Sequence, residues 1–317
     1  MDHKTFRQRV GWATRTLRKL GYLDVQPPTR ISRNPWSLIA RITSANGVFF
    51  LKYVRGAFRQ EPGLTDALHG LAPAHVPELI AADDTLACWI VRDAGDGFAP
   101  SMEPDFGLPV LGALLADHAA LQRKTLADAR RWLGLGAKDV RPDRYSQYLD
   151  EILRADSDLT QDRVPQATMN ALRTAGPGLS DVAQRLIALS PPQTVTHMDL
   201  RLTNIRRAKG AARLIDWGDA GFGPAFLDHV PLFSELSAGP VPTDRINALL
   251  QSTLSHWTDH APLKDLQAAH RLCRIVYPML YAHGLIHARP SWDPTLTPGH
   301  HGLLRFYLTT FLQRLNA

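Results

Sequence analysis

Cysteine and long apolar runs are both scarce in this chain of 317 residues. Cys88 and Cys273 are the only cysteines, and they form no Cys-x-x-Cys pattern. This excludes a disulfide-stapled scaffold and a cysteine zinc cluster, and it fits a reducing compartment. No stretch of 18 or more apolar residues occurs, and the first six residues contain no apolar signal core, so we expect no transmembrane helix. These absences predict a soluble, cytoplasmic protein with no membrane partner.

Acidic residues are scarce in one part of the chain. Residues 1–60 contain twelve Lys and Arg against Asp2 and Asp24, a net charge of +10, whereas the remaining residues carry a net charge of −4. A basic amino-terminal segment attracts the phosphates of a nucleotide, a nucleic acid or a membrane surface. The nearly neutral remainder argues against a protein that grips nucleic acid along its whole length. We therefore expect no nucleic-acid partner.

The first 93 residues predict a small sheet with a helix. The Asn-Gly pair at 46–47 is typical of a tight hairpin turn between two strands. Pro62 is compatible with the first turn of the helix that follows. The predicted elements are a helix over 3–20, strands over 38–43, 48–54, 76–80 and 87–91, and a helix that begins near Gln60.

The chain after residue 93 predicts mostly helices. Leu111, Leu114, Leu115, His118 and Leu121 repeat at helical spacing. Further helices are predicted over 146–155, 179–189, 245–257, 264–287 and 302–315, with a short hairpin over 204–216 among them. Two glycines follow the last strand of the small sheet and make 94–97 the predicted hinge. At roughly 100–200 residues per domain, we predict an α+β fold with a nucleotide-binding lobe over 1–93 and a helical lobe over 94–317.

The chemically informative segment is His197-Met198-Asp199 with Asn204, followed twelve residues later by Asp216 in Ile-Asp-Trp-Gly-Asp. Phosphoryl transfer needs a carboxylate that orients the attacking hydroxyl, and oxygen ligands that hold Mg²⁺. The loop from His197 to Asn204 supplies the carboxylate and one oxygen ligand, and Asp216 supplies a second. The glycine after Asp-Trp is expected to let the backbone turn sharply beside the metal. Chance predicts roughly 0.02 such His-x-Asp-x₄-Asn patterns in a chain of this composition.

Lys52 and Glu61 provide an independent check on this interpretation. A kinase-like lobe needs a strand lysine on the nucleotide phosphates and a helix glutamate that pairs with it. Lys52 is the one lysine between residues 20 and 123 and lies on a predicted strand, and Glu61 opens the next predicted helix. The simpler interpretations are an exposed strand lysine and a carboxylate that complements a helix amino terminus.

Other polar residues have structural interpretations as well. His197 is expected to bond backbone groups and brace its loop. For Asp219, a substrate contact and a turn cap stay equally open, and Glu235 is a candidate contact for a cationic substrate. His283 and His287, four residues apart, form a possible metal pair. No Cys or Glu stands near them in the sequence, so packing or surface placement is favoured for both.

Together these residues resemble the aminoglycoside phosphotransferase / choline kinase family of small-molecule kinases, which share the protein-kinase-like two-lobed fold. The resemblance spans most of the chain, from 38–54 to the helices after residue 230. Its motif is 195–200 through Asn204 and then 215–219, and 223–228 is similar to the family's Gly-Asp-Pro…Asp-Leu-Ala stretch. The family commonly has Gly where Met198 stands. No G-x-G-x-x-G covers the phosphates and no A-P-E follows Asp216, which speaks against a protein kinase.

The resemblance implies a role for each matching residue. Asp199 would be the catalytic base or hydroxyl-orienting carboxylate. Residues 31–37 would cover the phosphates, and Asp228 would support the catalytic loop. The implied nucleotide- and metal-binding residues are Lys52 on the α/β-phosphates, Glu61 fixing Lys52, Val91 and Asp93 in the base-binding linker 90–95, and Asn204 and Asp216 on Mg²⁺.

We therefore predict a Mg²⁺-dependent phosphotransferase that moves the γ-phosphoryl group of ATP or GTP to a hydroxyl of a small molecule. The acceptor is expected to be aminoglycoside-, choline- or sugar-like. The mildly acidic charge beyond residue 60 favours a cationic acceptor. A pseudokinase that binds nucleotide without transfer is one alternative. A metal-dependent phosphohydrolase with His197, Asp199, Asp216 and Asp219 as ligands is another.

Overall fold

A computed structural model describes residues 3–126, 128–208 and 211–317. Its first lobe is built on a five-stranded antiparallel sheet in the order β1-β2-β3-β5-β4. The strands are β1 (Thr29–Arg33), β2 (Ser37–Ser44), β3 (Gly47–Val54), β4 (Leu79–Asp83) and β5 (Cys88–Arg92). A two-residue turn at 45–46 joins β2 to β3, as the hairpin signal predicts.

Two helices flank this sheet. Helix α1 (His3–Lys19) buries Ala13 and Leu17 against an apolar core that includes Phe49 of β3. Helix α2 (Glu61–Leu71) begins within a residue of its predicted start, with Pro62 in its first turn. Its buried Leu64 and Leu68 belong to the core of the second lobe, so α2 links the two lobes.

Two predictions about this lobe are wrong in detail. The strand predicted over 76–80 is β4, which begins only at Leu79. The loop predicted over 31–37 is shorter, because residues 31–33 belong to β1, where Ser32 and Arg33 pair with β2, and Ser37 opens β2. Every residue of β1 is exposed, so the strand lacks the apolar alternation that would reveal it in the sequence.

The second lobe is mainly helical, as predicted. Its helices are α3 (Leu108–Arg123), α4 (Ala129–Gly134), α5 (Tyr145–Arg154), α6 (Asp156–Gln161), α7 (Gln166–Thr174), α8 (Gly176–Leu189), α9 (His229–Ala238), α10 (Thr243–Ser255), α11 (Leu263–Ala288) and α12 (Leu303–Leu315). The helix predicted over 302–315 is α12, and its Leu304, Leu308 and Phe311 are fully buried in the large helical core. None of the described helices is both long enough and apolar enough to cross a membrane.

Two small sheets in this lobe position the catalytic loops. Strands β6 (Asp96–Gly97), β9 (Ile205–Ala208) and β10 (Ala211–Leu214) form one sheet, and β7 (Lys138–Asp139), β8 (Gln193–Thr196) and β11 (Gly221–Pro224) form the other. The predicted hairpin at 204–216 is β9 and β10, although 209–210 lie outside the described residues. The segment 197–204 connects β8 to β9, and Asp216 lies just after β10. Each loop therefore runs between the two small sheets: 197–204 from β8 to β9, and 215–220 from β10 to β11.

Candidate active site

Lys52 is the side chain through which the sheet of the first lobe reaches the catalytic loops. Its buried Nζ donates to Glu61 Oε1 at 2.8 Å and Oε2 at 2.6 Å. The same amine lies 2.5 Å from Asp216 Oδ1. Burial acts to lower the pKa of Lys52, but the carboxylates of Asp216 and Glu61 outweigh it and raise the pKa above its ordinary value. Three residues that the sequence predicts for one site therefore meet, and the amine is charged.

Asn204 and Asp216, the predicted metal ligands, are held beside each other by the backbone. The N–H of Ile215 donates to the carbonyl oxygen of Asn204 at 3.0 Å. Asp216 then takes the left-handed backbone conformation, with φ +70°, which is uncommon for a residue other than glycine and concentrates at functional sites. Desolvation opposes the ionisation of Asp216, but Lys52 outweighs it and lowers the pKa of the carboxyl.

Oxygen atoms are left open at this pair. The Asp216 side chain is 45% exposed, and Lys52 bonds only its Oδ1. The Asn204 amide nitrogen donates to the backbone oxygen and to Oδ2 of Asp199, at 2.9 and 3.1 Å. Among the described residues, neither Asp216 Oδ2 nor Asn204 Oδ1 accepts a hydrogen bond. Carboxylate and amide oxygens of this kind are ligands that Mg²⁺ prefers.

Asp199 lies on the loop that also carries Asn204, and its carboxylate is largely buried. Arg201 Nε donates to Asp199 Oδ1 at 2.6 Å. Burial, and then the nearby charge of Asp219, raise the pKa of Asp199 to about 6, while Arg201 acts in the opposite direction. A carboxylate tuned toward neutrality is suited to accept a proton from a hydroxyl.

His197 braces the loop, as expected. Its Nε2 lies 2.9 Å from the carbonyl oxygen of Ile215, and its Nδ1 lies 3.3 Å from the backbone nitrogen of Asp199. A neutral ring with its proton on Nε2 satisfies both contacts, and burial lowers the pKa of His197 accordingly. The ring packs against Trp217 with centroids 4.6 Å apart. With both nitrogens bonded to the backbone, His197 has no atom left for a metal, which weakens the phosphohydrolase hypothesis.

Asp228 supports the catalytic loop from below, the structural role that the resemblance implies. It is fully buried, and its Oδ1 accepts the N–H of Met198 at 2.8 Å. Its Oδ2 accepts from His118 Nε2 at 2.8 Å and Gln122 Nε2 at 3.1 Å. Burial opposes ionisation, but His118 outweighs it and lowers the pKa of Asp228.

Met198 occupies a backbone position that favours glycine. Its φ is +63°, in the left-handed region where a side chain adds strain. The Met198 carbonyl accepts a hydrogen bond from the Tyr277 hydroxyl at 2.7 Å, and its buried side chain packs in the helical core. The hydrogen bonds of Met198 with Asp228 and Tyr277 thus hold its backbone in a conformation that favours glycine.

Gly218 has a different role from the one predicted. Its φ is not in the left-handed region, and the residue that makes the turn beside the metal position is Asp216 itself. A β-carbon on Gly218 would lie 2.9 Å from Glu61 Oε2 and 3.0 Å from the Phe58 ring. The missing side chain therefore makes room for Glu61, whose carboxylate must approach this backbone to reach Lys52.

A cavity of about 310 Å³ lies between the lobes next to Lys52. Val91 and Asp93, the predicted base-binding residues, both line it. Val91 is paired with Phe50 in the sheet, and the N–H of Asp93 donates to the carbonyl of Val48 at 3.0 Å. The backbone N–H of Ala94, also in the lining, has no partner among the described residues.

The loop over 34–36 faces a second, smaller cavity of about 160 Å³ that Lys52, Asp199 and Asp216 also line. Asn34 Oδ1 accepts the N–H groups of Trp36 at 3.1 Å and Ser37 at 2.6 Å. This side-chain turn gives the short loop a fixed shape without the glycines of a G-x-G-x-x-G loop.

Sequence reasoning missed two features that hold the site. Arg201 bonds Asp199, the Tyr307 hydroxyl at 2.8 Å and Glu235 Oε1 at 3.5 Å. Glu235 in turn accepts the N–H of Leu202 at 2.8 Å, so it braces the loop. Lys138 pairs with Asp219 at 2.6 Å. Only the position of Arg201 inside the His-x-Asp-x₄-Asn pattern could have signalled it, because its partners lie far along the chain.

Residues 37–266 match the model of the phosphotransferase enzyme family, APH. The match covers well over half of the chain. The chain belongs to the phosphotransferase enzyme family. It is a phosphotransferase of the small-molecule kinase type with a hydroxyl acceptor, as predicted. A comparison with curated proteins found no match.

Solved structures of the family's enzymes are similar in fold. A choline kinase, LicA from Streptococcus pneumoniae, is 12% identical, with a TM-score of 0.64 over 96% of this chain and 98% of that one. The ADP-bound aminoglycoside phosphotransferase APH(2'')-Ib is 13% identical, with a TM-score of 0.59 over 99% of each chain. The amicoumacin kinase hAmiN, in complex with AMP-PNP, Ca²⁺ and Ami, is 15% identical, with a TM-score of 0.59 over 99% of this chain and 96% of that one. The predicted two-lobed α+β fold is confirmed.

Proposed function

We propose that this phosphotransferase moves the γ-phosphoryl group of ATP or GTP to a hydroxyl of a small molecule, with Mg²⁺ as its metal. The observation that carries the proposal is the contact of Lys52 Nζ with both Glu61 and Asp216, at 2.6 and 2.5 Å. Kinase-like phosphoryl transfer needs a lysine paired with a helix carboxylate and, beside it, a loop carboxylate for the metal, and these contacts bring the three groups together. The solved structures with bound ADP, and with AMP-PNP and Ca²⁺, agree with a nucleotide and a divalent cation.

The proposed nucleotide site is the cavity between the lobes. The base would lie against the linker 90–95, with Val91 and Asp93 in its wall and the N–H of Ala94 as the open backbone donor. Lys52 would hold the α/β-phosphates, and Glu61 would keep its amine in place. The loop over 34–36 would cover the phosphates.

Asn204 and Asp216 fit a magnesium ion, because each has an oxygen atom without a hydrogen-bond partner in the described chain. Bound there, Mg²⁺ would neutralise charge on the phosphate oxygens. Asp199 would accept the hydrogen bond of the acceptor hydroxyl and take its proton as the hydroxyl oxygen bonds to the γ-phosphorus and the bond from that phosphorus to the departing nucleoside diphosphate breaks. Its raised pKa of about 6 makes it a stronger base than an ordinary aspartate and leaves it ionised at neutral pH.

The proposed acceptor site is a cavity of about 360 Å³ beside the catalytic loop. Its lining contains Met198 and Asp219 and reaches outward between β7, α5 and α11. Tyr281 and Leu280 give it an apolar wall. Its carboxylates already have basic partners, such as Lys138 for Asp219, and a cationic acceptor would compete with them.

The deciding experiment is a phosphorylation assay on a panel of aminoglycosides, amino alcohols and sugars, with ATP or GTP and Mg²⁺, read by mass spectrometry. A product heavier by one phosphoryl group is expected, and Asp199→Asn should lower its rate by roughly 10²–10⁴-fold. Asp84→Asn changes the same side chain at an exposed site and is the matched control. Nucleotide binding without transfer to any panel member would favour the pseudokinase. An unchanged rate in Asp199→Asn would exclude Asp199 as the base.

We also propose a cytoplasmic location. Both cysteines are free and buried, which suits a reducing compartment.

A further inference from the structure

A second group of metal-ligating side chains lies in the wall of the cavity that we assign to the acceptor. His283 and His287 are four residues apart on α11, so they project from one face of the helix. The sequence favours packing or surface placement for them, because no third ligand is near in the chain. The structure brings one from α5: Glu151 lies against both rings.

The three ligand atoms converge on one point. His283 Nε2 and His287 Nε2 lie 2.6 and 3.1 Å from Glu151 Oε2, and the two nitrogens lie 2.9 Å from each other. In a tetrahedral zinc site, bond lengths of about 2.0–2.2 Å place ligand atoms roughly 3.3 Å apart. Each observed separation is within about 0.7 Å of that value, so small side-chain movements would admit an ion.

Hydrogen bonds account for this arrangement only in part. With both Nε2 atoms protonated, Glu151 Oε2 accepts from both rings, but the two donor nitrogens then crowd each other at 2.9 Å. With one of them unprotonated, its lone pair faces the carboxylate oxygen. A cation in the centre would convert all three contacts into favourable ones, because neutral imidazole nitrogen and carboxylate oxygen are both zinc ligands.

Neighbouring residues hold the ligands in these orientations. Gln147 Nε2 donates to Glu151 Oε1 at 2.8 Å, which leaves Oε2 turned to the histidines. The Tyr148 ring stacks on His283 with centroids 4.0 Å apart. Lys138 lies near Gly284, and Asp219 pairs with it. Such outer contacts commonly fix the geometry of metal ligands.

We propose that Glu151, His283 and His287 bind a divalent transition metal ion of the zinc class, with the remaining coordination position open to water or to a group of the acceptor. Two imidazoles and one carboxylate suit such an ion better than Mg²⁺, which prefers oxygen ligands alone. The binding of the ion rests on these three side chains alone, whereas a contact between the ion and the acceptor rests on the proposed function.

The test uses the full chain, freed of any affinity tag and treated with chelator, then titrated with Zn²⁺ in equilibrium dialysis and with Co²⁺ under visible spectroscopy. We expect one strongly bound equivalent, and with Co²⁺ the intense absorption of a four-coordinate ion. His287→Ala should weaken binding at least tenfold, and because this side chain is 59% exposed the variant should fold. Glu151→Gln should weaken binding as well.

Two controls locate the ion. His256→Ala removes an exposed histidine elsewhere and should leave binding unchanged. Asp216→Asn alters the proposed magnesium site and should also retain Zn²⁺. Equal affinity in the wild type and in His287→Ala, or no strongly bound equivalent in the wild type, would overturn the proposal. Loss of binding in Asp216→Asn alone would assign the ion to the catalytic loops and overturn it as well.

Discussion

The raised pKa of Asp199 favours catalysis but costs folding stability. Burial and the charge of Asp219 raise its pKa to about 6, so the carboxylate is a better base, but it ionises at the expense of folding stability. We expect kcat/KM to fall as the pH decreases through about 6, because the protonated acid cannot accept a proton. In Asp199→Asn the residual rate should lack this acidic limb. A pH–rate profile of both proteins from pH 5 to 8 measures the effect.

Asp199→Asn should lower the rate of transfer but raise the stability of the fold. Because the folded-state pKa of Asp199 is raised above its ordinary value of 3.8, its contribution to stability is complete below about pH 4 and is lost as the pH rises through about 6. Asp199→Asn should therefore gain in melting temperature relative to the wild type between pH 4 and 7. A difference that is independent of pH would contradict the raised pKa.

Gly218 offers a test of how closely Glu61 must approach the metal loop. In Gly218→Ala the new methyl group meets Glu61 Oε2 at 2.9 Å, so Glu61 must move away from Lys52. We expect kcat/KM to fall roughly 10- to 100-fold, because misplacement by about 1 Å is enough for such a loss. Steady-state kinetics with varied nucleotide should show the KM rising.

The matched control for this change is Gly63→Ala on α2, where nothing lies within 4 Å of the new β-carbon. Alanine is a better helix former than glycine by about 1 kcal/mol, so this variant should be active and slightly more stable. Normal kinetics in Gly218→Ala would show that Glu61 tolerates displacement.

At the scale of elements, amphipathic helices were the most predictable part of the chain. The observed bounds of α11 differ from the predicted 264–287 by one residue at each end, and α12 begins one residue after its predicted start and ends at its predicted last residue. Short strands were missed for opposite reasons: β1 is exposed throughout and β11 is buried throughout. Neither shows the alternation that marks a half-buried strand.

The site followed the same division. Motif spacing predicts Asp199, Asn204 and Asp216. A predicted strand and helix point to Lys52 and Glu61, and the fold brings the two groups together. The partners of Arg201, and the Glu151 that joins His283, are contacts between distant segments. Such pairs depend on how α5, α9, α11 and α12 pack, which one sequence does not specify.

The hydrogen bonds that Asp228 accepts next to the catalytic loop lead to a prediction about folding stability. Asp228 is fully buried and accepts three hydrogen bonds, from Met198, His118 and Gln122. Asp228→Asn replaces one acceptor by a donor that faces other donors. We expect it to lower the free energy of unfolding by about 2–4 kcal/mol at pH 7, measured from urea transitions.

The pH dependence of that loss has a definite sign. Because the folded-state pKa of Asp228 is lowered, its stabilising contribution is present above its ordinary pKa of 3.8 and is lost as the pH falls through the lowered value. The difference in the free energy of unfolding between the wild type and Asp228→Asn should therefore become smaller below about pH 4. Asp259→Asn, at an exposed pair with Arg123, is the control and should change little at any pH.

At the scale of the whole molecule, two junctions connect the lobes in addition to helix α2 and the contact between Lys52 and Asp216. The linker after β5 is one, where Gly95 has φ +110° and a β-carbon would lie 2.0 Å from the carbonyl oxygen of Arg207. The boundary at residue 93 stays a prediction. The other junction lies across the mouth of the cleft, where Asp293, after α11, faces Arg33 and Arg55 of the first lobe at 3.0 and 3.3 Å.

This second junction should govern how readily the cleft closes over a nucleotide. The Asp293 carboxylate is only 6% exposed. Its backbone N–H donates to the carbonyl oxygen of Pro35 at 2.7 Å, and Trp292 packs on Trp36 with ring centroids 4.9 Å apart. Asp293 is therefore tied directly to the loop proposed to cover the phosphates.

Asp293→Asn removes the charge attraction between this carboxylate and the two arginines, for which about 1 kcal/mol is a reasonable value at a partly exposed ion pair. The nucleotide KM should rise about fivefold while the acceptor KM stays constant. Added salt should raise the wild-type KM toward that of the variant by screening the pair. The exposed Asp84→Asn, with the same change in net charge, should match the wild type at every salt concentration, and an identical shift there would refer the effect to net charge rather than to this junction.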